Sequence, residues 1–219
     1  PTGAGKSRCF QLPALLSRGL TVVVSPLLSL MVDQVESLSR LSVRALYLSS
    51  SQPPSEAARV NAELRRSPPN ARLLYVTPEK LQQSVYLSQA LRRLHEQKLL
   101  DRIVVDEAHC VVSWGRDFRP DYLALGEWRK SLPGLPRTLI TATLPPPMRL
   151  DLFQSLGFAA SPAAAAGSGA LGAAGAAAAA AATPPGVVTV EADLDRPNLH
   201  YEVWPKPTPR IAADQLAAL

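Results

Sequence analysis

Two stretches of this chain carry residue types in an order suited to phosphate chemistry. One is Asp106-Glu107-Ala108-His109, which directly follows the apolar run Ile103-Val104-Val105. A buried strand that ends in two adjacent carboxylates can hold a hydrated magnesium ion through one of them and serve an attacking water with the other. Alone, such a pair is more often a solvated strand end. The other stretch favours the chemical reading. Residues 1–7 are P-T-G-A-G-K-S and run into a helix-like apolar segment with Cys9, Phe10, Leu12, Ala14, Leu15 and Leu16. Small residues at Thr2, Gly3, Ala4 and Gly5 let backbone N–H groups close around phosphates, Lys6 reaches the β- and γ-phosphates, and Ser7 offers Mg2+ a hydroxyl. The N-terminus of the helix that follows adds a positive dipole. The leading glycine of the full motif would fall before Pro1, so the pattern is read from its second half.

A third stretch continues directly from the carboxylates. Trp114, Phe118 and Tyr122 are interleaved with Arg116 and Arg119, a mixture that stacks on bases and neutralises phosphates. The bland alternative is a minor aromatic core, with Tyr122 only buttressing the loop. Because hydrolysis and nucleic-acid chemistry share one continuous segment, binding at one is expected to be sensed at the other.

The elements that must position these groups alternate in type. Strands are expected at Leu20–Val24, Val43–Leu48, Arg72–Val76, Arg102–Val105 and Arg137–Thr141. Helices are expected at 27–41, 57–66, over much of 81–99, and at 123–130. Short strands separated by helices imply a mostly parallel α/β sheet covered by helices on both faces, with ligands at the C-terminal strand ends. The phosphate loop, Ser25-Pro26, Thr77-Pro78, Asp106-Glu107 and Thr141-Ala142-Thr143 all adjoin strand ends or helix starts, so they can converge on that edge.

The 219 residues, 47% of them apolar, suffice for a sizeable core. Outside an alanine-rich tract no run reaches the roughly 18 apolar residues of a membrane span. Lys+Arg 23 against Asp+Glu 18 gives +5, compatible with a polyanionic partner. Cys9 and Cys110 lack the spacing of a zinc site or a disulfide scaffold, and the histidines His95, His109 and His200 are scattered, so a reducing intracellular compartment is expected. Residues 159–186 are rich in Ala, Gly, Ser and Pro and carry no charge; they read as a surface insertion without a chemical role. The expected organisation is a nucleotide-binding lobe over 1–158, this insertion over 159–186, the end of the lobe over 187–204 with strands at 187–190 and 199–203, and an interdomain linker over 205–219. Opening inside a motif, the chain is expected to be a fragment of a longer protein.

Assembled, these residues resemble the first ATPase lobe of RecQ-type DNA helicases, within the DEAH-bearing helicases and the wider RecA-like P-loop NTPases. The resemblance rests on P-T-G-A-G-K-S-R-C-F-Q-L-P-A, V-V-S-P-L-L-S-L-M-V-D-Q-V, Y-V-T-P-E-K, D-E-A-H-C-V-V-S-W-G-R-D-F-R-P-D-Y, T-A-T-L-P and D-R-P-N-L-H-Y. It implies 3′-to-5′ DNA unwinding driven by hydrolysis of ATP with Mg2+, in DNA recombination, repair and replication. It also implies that Gly3, Gly5, Lys6 and Ser7 hold the phosphates and Mg2+, that Asp106 holds Mg2+ through water, and that Glu107 orients or deprotonates the attacking water. His109 and Thr141-Ala142-Thr143 would couple hydrolysis to interdomain movement. Trp114, Phe118 and Arg119 would sense single-stranded DNA, while Ser25, Pro26 and Ser29, with Thr77, Pro78 and Glu79, would touch its phosphates.

Arg116 stands where the family usually carries His, which adds a cation to the loop. The resemblance also implies a second lobe, with a transition-state arginine, that is not in this chain; without it, weak nucleotide binding and poor turnover are expected, and the fragment should be a monomer. Single-stranded and partly duplex DNA are the expected partners, with no membrane involved. A nuclear location is expected from the eukaryotic-looking insertion. Two further readings remain open: an RNA helicase of the same superfamily, and a non-hydrolysing nucleic-acid-binding remnant.

Overall fold

The computed structural model describes residues 5–113, 125–145, 148–158, 184 and 186–191. The chain divides into two compact units, Pro1–Thr189 and Val190–Leu219, and the architecture below is that of the first. Its order is α1 (Arg8–Leu16), β1 (Leu20–Val24), α2 (Leu28–Arg40), β2 (Ala45–Leu48), α3 (Pro54–Leu64), β3 (Leu73–Val76), α4 (Pro78–Gln83), α5 (Val85–Glu96), β4 (Leu100–Val105), α6 (Cys110–Ser113), α7 (Leu125–Ser131), β5 (Arg137–Leu139) and α8 (Met148–Ser155). The five strands form one parallel sheet in the order β2-β3-β1-β4-β5, the α/β architecture that the alternating elements predicted.

Strand composition explains why β1 lies in the middle. Leu20-Thr21-Val22-Val23-Val24 is β-branched, apolar and wholly buried, as a parallel strand covered on both faces must be. Its odd and even residues enter different cores. Val23, with Leu73, Tyr75, Val104 and Ile140, packs against Phe10 and Ala14 of α1 and Met31 and Leu38 of α2. Val22 and Val24, with Leu74, Val76, Ile103 and Val105, pack against α3, α5, α7 and α8 through Leu64, Leu91, Leu125 and Leu152. Helix α5 shows the logic locally: Leu87, Ala90, Leu91 and Leu94 recur at helical spacing and are its buried residues. Each fully buried leucine contributes about 1.5–3 kcal/mol of transfer free energy.

Register decides where the site forms. Leu48 pairs with Val76, Val76 with Val24, Val24 with Val105, and Val105 with Leu139. The last residues of all five strands therefore lie in one row. The residues just past the row, Ser49, Thr77, Ser25, Asp106 and Ile140, emerge side by side on one edge.

Several elements differ from expectation. The helix expected within 81–99 is two helices, because Ser84 adopts an extended backbone (φ −87°, ψ 99°) and its side chain caps Leu87 N. Helix α3 begins at Pro54, three residues before the expected start at 57, since proline suits the first helical position. Residues 187–190 are irregular, with Val188 and Val190 exposed, rather than a strand; β pairing needs a partner, and the described residues supply none. Cys110 is buried as a small core residue would be, whereas Cys9 is exposed on α1. Thr2, Gly3 and Ala4, the aromatic-rich stretch with Trp114, Arg116, Phe118, Arg119 and Tyr122, most of the alanine-rich tract, D-R-P-N, the strand expected at 199–203 and the 205–219 linker lie outside the described residues. Among the described residues no helix is long and apolar enough to cross a membrane.

Candidate active site

The first component is the turn that enters α1. Gly5 has φ +76° and is the kind of position where a residue without Cβ is favoured. Its carbonyl accepts from Arg8 N at 2.9 Å, and that of Lys6 from Cys9 N at 3.0 Å, which winds the chain straight into the helix. Ser7 occupies the N-cap position, yet its hydroxyl makes no capping bond and the first turn holds no acidic residue. The positive end of α1 and a hydroxyl are both left available to an oxyanion or a cation.

The second component is the end of β4. Asp106 donates its N–H to Val24 O at 2.9 Å, which locks the carboxylate beside β1, and its Oδ1 accepts from Glu107 N at 3.0 Å. Burial raises the Asp106 pKa; the neighbouring Glu107 charge adds to this, while the Glu107 N–H, Lys6 and His109 oppose it. Glu107 itself has φ +48°. A left-handed conformation costs a non-glycine residue about 1–2 kcal/mol, and such outliers gather where function over-determines the backbone.

The third component comes from β5. Ala108 N donates to Ile140 O and Ile140 N to Val105 O, both at 2.9 Å, so the D-E-A-H turn is fastened to the strand leading to Thr141. His109 Nδ1 lies 3.2 Å from Glu107 Oε2 and 2.9 Å from Thr141 Oγ1, and Cys110 Sγ is 3.6 Å from Nε2. One tautomer satisfies all three: the Nδ1–H donates toward the carboxylate and the threonine oxygen, and Nε2 accepts from the thiol. Thr141 Oγ1 also accepts from Thr143 N at 3.2 Å. A cleft of about 260 Å³ opens here, bordered by Pro26, Leu27, Glu107, His109, Ala142 and Thr143.

The remaining sequence-predicted residues fall along the same edge with different exposure. Ser25 is buried at the end of β1, and its hydroxyl has no hydrogen-bond partner among the described residues. Pro26 is buried, and Ser29 is exposed in the first turn of α2. Thr77 caps α4 by accepting from Lys80 N at 3.3 Å, with Pro78 buried behind it and Glu79 half-buried. The positive φ of Glu107 and the clustering of Tyr75, Gln11 and Gln34 carried no sequence signal, because backbone sign and contacts across tens of residues are set by packing. The contact of the Cys110 sulfur with His109 carried no sequence signal either.

The donor set fits a magnesium-nucleotide. It offers one cation, one uncommitted hydroxyl at a helix N-terminus and two carboxylates, and among the described residues no group of three or more His, Cys, Asp or Glu could hold a metal by itself. Mg2+ is usually held in this way, by one or two protein oxygens together with phosphates and water.

Residues 1–150 match the DEAD/DEAH box helicase family model. The chain is 40% identical over 214 residues, 98% of its length, to the RecQ-like DNA helicase BLM of Xenopus laevis. It is 40% identical over 94% of its length to the ATP-dependent DNA helicase hus2/rqh1 of Schizosaccharomyces pombe, and 47% identical over 71% of its length to the ATP-dependent DNA helicase Q5 of Rattus norvegicus. It spans 14%, 14% and 16% of these relatives. Among solved structures, the Hef helicase domain of Pyrococcus furiosus matches 72% of this chain and 32% of its own at 21% identity, with a TM-score of 0.46. By its family match the chain belongs to the DEAD/DEAH box helicases, and the curated relatives it is similar to include RecQ-like DNA helicases.

Proposed function

We propose that this chain is the N-terminal motor lobe of an ATP-dependent 3′-to-5′ DNA helicase acting in recombination, repair and replication in the nucleus. The observation that carries the reading is the His109 bridge. One imidazole nitrogen stands within hydrogen-bond reach of both the Glu107 carboxylate and the Thr141 hydroxyl, so a shift in β5 and a change at the hydrolytic carboxylate are felt by the same ring. Such a bridge is what a motor needs and what a static nucleic-acid-binding remnant does not.

In this reading the N–H groups and dipole at the start of α1, together with Lys6, bind the phosphates of ATP. Ser7 and Asp106 would hold Mg2+, Asp106 partly through water. Bound Mg2+ would neutralise charge developing on the transferred phosphoryl group. Glu107, held by His109, orients the attacking water and accepts its proton. Ser25, Pro26 and Ser29, with Thr77, Pro78 and Glu79, line the strand-end edge toward DNA phosphates, and Trp114, Arg116, Phe118 and Arg119 stack on and neutralise single-stranded DNA. Contacts of this kind fix the backbone without reading bases, so action on single-stranded and partly duplex DNA is sequence-independent and weakens with salt. A second lobe supplies the transition-state arginine.

The test is ATP turnover of the full-length protein, with and without single-stranded DNA, beside Lys6→Ala and Trp114→Ala. Stimulation by DNA in the parent, abolished in both variants, is expected. Equal turnover with and without DNA, or no turnover, overturns the motor reading in favour of the binding remnant.

A further inference from the structure

On the α1 and α2 side of the sheet lies a polar cluster that the proposed hydrolytic residues do not use. Gln11 sits one helical turn past the phosphate loop, its N–H bonded to Ser7 O at 3.0 Å. Its side-chain Nε2 donates one hydrogen to Gln34 Oε1 at 2.6 Å and the other toward the Tyr75 hydroxyl at 3.2 Å. Both amide hydrogens are thereby committed. Tyr75 is 1% exposed. Its ring meets Phe10 of α1 edge-on at 6.4 Å, and burial pushes its pKa up to about 12, with the Asp106 charge acting in the same direction, so the phenol stays neutral.

The three residues belong to three elements with different duties. Gln11 lies on the helix that begins at Lys6-Ser7. Gln34 lies on α2, whose first turn carries Ser29. Tyr75 lies on β3 two residues before Thr77, the cap of α4. A single amide thus links the phosphate-binding helix to both segments assigned above to DNA phosphates, across 23 and 64 residues of sequence. Buried polar groups are costly unless satisfied, so such a network favours one arrangement of its elements over others.

We propose that Gln11 is a positioning residue which, through Gln34 and Tyr75, transmits DNA occupancy at the α2 and α4 N-termini to the phosphate loop. This rests on the motor reading above and names a second route of communication in it, separate from His109 and Thr141. When DNA draws either helix start, the Gln34 or Tyr75 partner moves and α1 is reset through Gln11. Reciprocally, nucleotide on the loop changes DNA affinity by the same factor.

The experiment measures binding of a fluorescent non-hydrolysable ATP analogue to the full-length protein, with and without an oligothymidylate, in the parent and in Gln11→Leu, Gln34→Leu, Gln34→Glu and Tyr75→Phe. In the three disrupting variants the DNA-induced change in nucleotide affinity is expected to shrink about 3- to 10-fold, the worth of one or two hydrogen bonds, while DNA-free affinity stays within about 2-fold. Gln34→Glu keeps the acceptor and should keep the coupling, which a merely structural role would not require. Retained coupling in all variants overturns the proposal and leaves the motor reading standing. A parent that binds nucleotide equally with and without DNA overturns both. Should Gln11→Leu unfold the protein, the contrast between Gln34→Leu and Gln34→Glu decides.

Discussion

The two edges of the sheet treat carboxylates in opposite ways. At the N-terminal edge Glu63 is 8% exposed and accepts from Asn70 N and Ala71 N, with Arg66 Nε 3.4 Å away. Nearby, Asp101 accepts from Gly19 N at 3.0 Å, at a glycine whose added Cβ would lie 2.6 Å from Asp101 Oδ1. These acids close the loops that lead into β3 and β1. At the C-terminal edge Asp106 takes one bond from its own neighbour's N–H and has its pKa raised by burial, and Glu107 holds a left-handed backbone. One edge satisfies its charges and gains stability. Among the described residues the other gives Asp106 a single side-chain hydrogen bond and Glu107 only its contact with His109, a pairing suited to chemistry rather than to closing a loop.

The contrast is sharpest in activity at Glu107. Glu107→Gln keeps size and removes the charge, so DNA-stimulated ATP turnover is expected to fall about 10²- to 10⁴-fold, as for loss of a general base, with the thermal midpoint unchanged or raised. A stability loss without an activity loss, seen by calorimetry beside a turnover assay, would make this edge no different from the other.

Glu63→Ala should do the reverse. Two backbone N–H groups lose their acceptor, and unfolding in urea is expected to show a loss of about 2–3 kcal/mol, while turnover per folded molecule stays at the parental level. Impaired turnover in fully folded protein would contradict the division between edges.

The smallest expected effect is a pH dependence at Asp106. An acid whose pKa is raised on folding binds protons more tightly in the folded state, so it lowers stability as pH rises from the ordinary aspartate range through the raised value. Asp106→Asn is therefore expected to be more stable than the parent at neutral pH, with the gap closing as pH falls below the ordinary aspartate range. Denaturation midpoints at a series of pH values check this; a gap that widens on acidification would mean that the carboxylate is stabilised by its surroundings.

Much of this could be read in the chain itself. The β-branched and apolar runs at Leu20–Val24 and Leu100–Val105 have one sensible fate, burial in a parallel sheet, and Gly5-Lys6-Ser7 with Asp106-Glu107 is the pattern on which the proposed phosphate chemistry rests. The break at Ser84 was harder, since Pro78 to Glu96 supports helical spacing on both sides and only the cap bond to Leu87 N separates α4 from α5. Residues 187–190 show the converse: their β-branched valines favour a strand, but with no pairing partner among the described residues they stay irregular, with Val188 and Val190 exposed.

What the sequence determined alone was the class of fold and the order of the candidate groups along the chain, because these follow from local pattern and residue chemistry. Only tertiary structure decided that five strand ends lie in one row, that Glu107 takes a positive φ, that His109 touches both Glu107 and Thr141, and that Gln11 reaches Gln34 and Tyr75. Each of these depends on register and packing between segments tens of residues apart, where the energy of a contact is set by the partner that the fold delivers rather than by the residue that waits for it.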